Sequence, residues 1–117
     1  MRQLTAFLAI LAFAWPSLAA SPKCDGPDNW AAGMANATLK NAGVIVSDQV
    51  DFSKTKVKRL ASEPIGKGLY RQVHRVTFTK YSGELIEAIT VNTASHDECS
   101  ESGVEVFLIR QYFPASD

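Results

Sequence analysis

The sequence is poor in the residue sets that announce enzymes and metal proteins. Its 117 residues include two cysteines and two histidines. Two thiols without a Cys-x-x-Cys or a paired histidine motif do not make a structural zinc site, so no metal is expected. There is no Gly-rich phosphate loop, no Gly-x-Ser-x-Gly and no His-Glu-x-x-His. No catalytic residues and no cofactor follow from such a chain, and an enzyme is not expected. Net charge is also missing: 12 Lys plus Arg stand against 12 Asp plus Glu. That balance argues against a general nucleic-acid or membrane-surface binder. Internal repeats and low-complexity linkers are absent, which leaves one domain's worth of chain.

Long hydrophobic runs are limited to one. Leu4 to Trp15 is apolar apart from Thr5, follows the positive Arg2 and stops at Pro16. Ser17-Leu18-Ala19 supplies small residues for cleavage after Ala19. A membrane span needs about 20 apolar residues, so a cleaved leader is expected in preference to a stable membrane anchor. Ser21-Pro22-Lys23 before Cys24 is not a small-residue lipobox. Residues 1–19 are therefore read as a signal peptide and 20–117 as a single exported domain, periplasmic or extracellular. Without Arg2 the domain keeps eleven bases against twelve acids, a formal charge of −1.

An oxidising compartment and two cysteines permit one pairing, Cys24 with Cys99. Leu69 to Val91 is rich in β-branched and aromatic residues and carries the turn signal Ser82-Gly83, a β-hairpin signature. A two-residue turn would set Phe78 opposite Glu87 and Val76 opposite Ile89. Val76, Phe78, Leu85, Ile89 and Val91 then share the core face, and Arg75, Thr77, Thr79, Ile86 and Thr90 the other. Asp28 to Ala42 reads as a helix with cap chemistry before it and Gly43 as its stop. Trp30, Met34 and Ala37 form one stripe, flanked by Ala31, Ala35, Leu39 and Ala42; the alanines leave a slim helix that can lie close to a sheet, with Trp30 and Met34 expected as its main anchors.

Lys54 to Ala61 reads as a strand whose Lys54, Lys56 and Lys58 line one face, as edge strands often do. Glu63 to Gly68 is turn chemistry. Val104 to Phe113 is apolar on both faces and reads as a central strand, or as one facing the helix on one side and a partner on the other. The fold class is therefore α+β: one N-terminal helix packed on a four-stranded antiparallel sheet, with one disulfide. Helix followed by four antiparallel strands resembles the cystatin-like roll in element order. The cystatin Gln-Val-x-x-Gly turn has its nearest match in Gln72-Val73-His74-Arg75-Val76, which lacks the glycine and sits inside a strand. The resemblance therefore implies a fold and no protease inhibition. Cys24-Asp25-Gly26-Pro27-Asp28-Asn29-Trp30 together with Glu98-Cys99-Ser100-x-Ser102 also looks like small exported proteobacterial proteins of unknown function.

Charge is segregated along the chain. Phe52 to Lys80 holds eight bases and one acid, Glu63, whereas the chain after Lys80 holds seven acids and one base, Arg110. Either the two sets neutralise each other across one sheet, or they form a two-poled surface that docks a charged partner. Asn92 to Gly103 is a long polar connection, and such loops are often functional. Within it Asp97, Glu98 and Glu101 surround Cys99 and are the candidate partner-binding residues. His96 beside Asp97 and Glu98 imitates a metal site, yet neighbours on an extended chain point apart. The expected function is a small exported binding protein, an inhibitor or immunity protein acting on an envelope or extracellular protein with a basic surface. The alternative is a periplasmic small-molecule carrier or structural accessory with an apolar pocket on the concave side of the sheet.

Overall fold

The computed structural model describes residues 21–109. The expected leader and the end of the last expected strand, Arg110 to Phe113, lie outside the described residues. Helix α1 is Trp30–Asn41, and after it come β1 (Val50–Gly66), β2 (Leu69–Lys80), β3 (Leu85–Ala94) and β4 (Glu105–Ile109). The strands form one antiparallel sheet in the order β1-β2-β3-β4, with a disulfide joining Cys24 and Cys99. Helix α1 packs on one side of it, mainly over β3. This is the expected α+β architecture.

Local chemistry sets both ends of α1. Asn29 is the N-cap, its side chain accepting from the Ala32 N–H at 2.7 Å and donating to the Cys24 carbonyl. At the other end Gly43 takes φ +77°, and the Gly43 and Val44 N–H groups donate to the Lys40 and Leu39 carbonyls at 3.0 and 2.8 Å. That is the double bond of a Schellman stop, which turns the chain back toward the core. Ile45 follows and is buried.

The helix face differs from expectation. Ala31, Ala32, Ala35 and Leu39 are buried, and Trp30 is 60 % exposed. Small side chains let the helix backbone come close to the sheet, where an indole would hold it off. Apolar volume pointed to Trp30 and Met34, and close packing chose the alanine side.

The β2–β3 hairpin corrects the expected register. Lys80 donates to the Glu84 carbonyl and Gly83 to the Lys80 carbonyl, each at 2.8 Å. Tyr81, Ser82 and Gly83 therefore form a three-residue loop, closed by Gly83 at φ +91°. A type I turn followed by a residue of positive φ is a common three-residue hairpin. The extra residue sets Phe78 opposite Ile86 and Val76 opposite Ala88. Val76 and Phe78 keep their place in the core, but β3 is flipped: Ile86, Ala88 and Thr90 are buried, while Leu85 is 37 % exposed.

The apolar core joins Ala32, Ala35 and Leu39 of α1 to Val76, Phe78, Ile86 and Ala88 of the sheet, with Ile45 and Val50 closing it. Strand β1 is longer than expected and holds an edge, its Lys54, Lys56 and Lys58 exposed. It reaches β2 through Lys67 and Gly68, both at positive φ, as a two-residue I′ turn requires. Strand β4 is the opposite edge and not a central strand, with Phe107 and Leu108 about half exposed.

Candidate functional site

The connection between β3 and β4 is built around Ser95. Its hydroxyl accepts from the Asp97 and Glu98 N–H groups at 3.2 and 3.1 Å and donates to Glu101 Oε1 at 2.7 Å. The Ser95 N–H donates to the Glu98 carbonyl at 2.8 Å, and the Glu101 N–H to the Thr93 carbonyl at 2.7 Å. Asn92 Nδ2 reaches the Cys99 carbonyl at 2.7 Å, and Ser102 Oγ accepts from the Thr93 N–H at 2.9 Å. The disulfide then pins Cys99 to Cys24 with the Cα atoms 5.6 Å apart. The loop has a fixed backbone although its Asp97, Glu98 and Glu101 side chains are exposed.

Two open clefts flank this loop. One is lined by Ser21 to Cys24 and by Ser95 to Cys99, with Lys23, Asp97 and Glu98 all in its lining. The second, of about 590 Å³, runs from Trp30 to Glu98, Glu101 and Gly103. Glu98 borders both clefts, Asp97 the first and Glu101 the second. Trp30 is the residue that sequence reasoning placed wrongly. The signal that could have found it is the alanine spacing 31, 35, which competes with the bulkier 30, 34 stripe for the sheet.

His96 does not join the carboxylates. It stacks edge-on against Tyr70, ring centroids 5.5 Å apart, and no cluster of three metal-donor side chains occurs among the described residues.

Under the disulfide lies a buried polar row. Gln72 is paired across the sheet with Asn92 and His74 with Thr90, and all four are buried. The segment from Ser21 to Asp25 straps over it: the Pro22 carbonyl accepts from Arg59 Nη1 at 2.8 Å and Gln72 Nε2 at 3.1 Å. Gln72 Oε1, Thr90 Oγ1, Asn92 Oδ1 and both His74 ring nitrogens have no hydrogen-bond partner among the described residues. Burial, with the Arg59 charge second, pushes the His74 pKa down, against a smaller opposing pull from Asp25. The imidazole is held neutral in a structural position. The side of the sheet that carries α1 is thus covered by the helix at its apolar end and by the strap at its polar end.

The charge poles are not neutralised within the sheet. Lys80–Glu84, at 3.4 Å across the turn, is the ion pair found among the described residues. Arg75 lies opposite Lys58 on one side and Ile89 on the other. The disulfide agrees with an oxidising compartment, and among the described residues no helix is long and apolar enough to cross a membrane. No protein-family model, curated protein or solved structure matches this chain.

Proposed function

We propose that this chain is an exported binding module that docks a basic segment of another envelope or extracellular protein against its β3–β4 loop, in the manner of an inhibitor or immunity protein. The observation that carries this reading is the acidic loop held rigid by Ser95 and the Cys24–Cys99 bridge beside an exposed Trp30. A solvated connection needs no such fixed backbone. A docking loop gains from one, because the ordering cost is met on folding and not on binding. Unpaired carboxylates speed encounter with a cationic surface. An exposed indole at the rim offers a broad apolar contact and a π-face for an Arg or Lys side chain.

The test is capture from envelope extract with the parent and with the charge-neutral triple variant Asp97→Asn, Glu98→Gln, Glu101→Gln. The expected partner is basic, binds in equimolar amount, and dissociates more readily as salt rises. The triple variant should lose at least about tenfold in affinity, on the order of 1.4 kcal/mol, and most of the salt dependence. Retention of the same partner by the triple variant, with unchanged affinity and salt response, would remove the loop from the binding surface.

A further inference from the structure

The side of the sheet turned away from α1 has no element packed on it among the described residues, and its charge is laid out in strips. Pairing places Lys58, Arg75, Ile89 and Phe107 in one row across β1 to β4. In the next rows Val73 is paired with Val91, which faces Glu105, and Lys56 with Thr77, which faces Glu87. The β1–β2 half is thus basic, the β3–β4 half acidic and apolar, and the middle aliphatic. Lys56, Lys58, Arg75 and Glu105 are exposed, and Phe107 is 53 % exposed. None of these charges has an ion-pair partner among the described residues. Lys58 directly opposite Arg75 is a like-charge pair, which costs stability in isolation.

We infer that this face is a homodimer interface, in which two copies pack sheet on sheet about a twofold axis running along the strands. Such an axis lays β1 of one copy over β4 of the other and β2 over β3. Basic strips then meet acidic and apolar strips at both symmetric contacts, with Val73 of each copy on Val91 of the other and Arg75 on Ile89. Among aligned packings the other closed arrangement, with the axis across the strands, sets β1 on β1 and bases on bases. Charge therefore selects one geometry of the two. Aligned sheets pack about 10 Å apart at about −30°, which leaves the Lys58 and Glu105 side chains within reach of each other across the interface. With four strands about 4.8 Å apart and β4 five residues long, the face is roughly 20 by 20 Å. That is small beside the roughly 800 Å² per partner of stable complexes. The dimer is concentration-dependent rather than permanent, and it leaves the β3–β4 loop free.

Sedimentation velocity on the protein purified from the exported fraction tests this, from about 5 to about 500 µM and at low and high salt. The parent should pass from monomer to dimer in that range, more readily at low salt. Lys58→Glu alone and Glu105→Lys alone should each weaken dimerisation at least about tenfold. An equimolar mixture of the two should recover it, because every symmetric contact in the heterodimer is again between opposite charges. A parent monomeric throughout, single variants that dimerise like the parent, or a mixture that fails to recover would each overturn the inference. Should either charge variant lose its fold by circular dichroism, Phe107→Ser on the same face is the replacement, and an unchanged dimer there counts against it equally.

Discussion

Leu85 and Ile86 are adjacent, nearly equal in apolar volume, and on opposite faces of β3. Truncating each to alanine reads the register of the hairpin directly. Ile86 is 7 % exposed and sits in the core opposite Phe78. Its loss of three carbons forfeits about 0.8 kcal/mol each, and the cavity left under α1 adds to that. The expected cost of Ile86→Ala is about 2–5 kcal/mol. Leu85 loses as many carbons, but it is 37 % exposed and any void opens to solvent. Its cost should be about 1.5 kcal/mol or less. Urea denaturation with the disulfide intact measures both, from midpoint shifts at a common slope. Work at a few micromolar keeps the measurement clear of the proposed association through the sheet face. A two-residue turn at Ser82-Gly83 reverses the order, since it puts Leu85 inside and Ile86 outside. Equal costs, or a larger one for Leu85→Ala, would refute the three-residue loop and with it the assignment of every β3 side chain.

Two further outcomes follow from the strap and the row beneath it. Replacing both cysteines by serine releases a 75-residue separation, for which the chain-entropy model gives about 4.5 kcal/mol and measured bridges typically about 2–4; a loss under about 1 kcal/mol in the same denaturation assay would mean that the bridge constrains little. His74 resists protonation in the folded chain because its pKa is pushed below the ordinary 6.5 by burial, with Arg59 adding and Asp25 opposing. The unfolded chain takes up that proton as pH falls below about 6.5, so stability should drop from there down to the lowered folded value and level off beneath it. His74→Gln should flatten that part of the stability–pH curve, and equal slopes in parent and variant would show that His74 is not the group responsible.

Element order, antiparallel pairing and the helix stop at Gly43 were legible in the chain, because each depends on neighbours a few positions apart. The N-cap was not: it is Asn29, inside the helix expected from Asp28. The Cys24–Cys99 pairing followed from compartment and count alone. Val76 and Phe78 were identifiable as core because β2 alternates cleanly between buried and exposed positions. Strand β3 was not readable in this way: Ile86 and Ala88 on one face compete with Leu85, Ile89 and Val91 on the other. Its inward face was decided by one extra turn residue at Gly83, and a period of two turns that single residue into a flip of the whole strand. The helix posed the same problem at a longer period. Apolar volume favoured Trp30 and Met34, and only the distance between helix and sheet, set by Ala31 and Ala35, sent the indole outward to the acidic loop. Whether the basic and acidic stretches cancel or stay apart was likewise a tertiary matter. Strand order puts them on opposite halves of the sheet, with Arg75 facing Lys58 and Ile89 instead of a carboxylate.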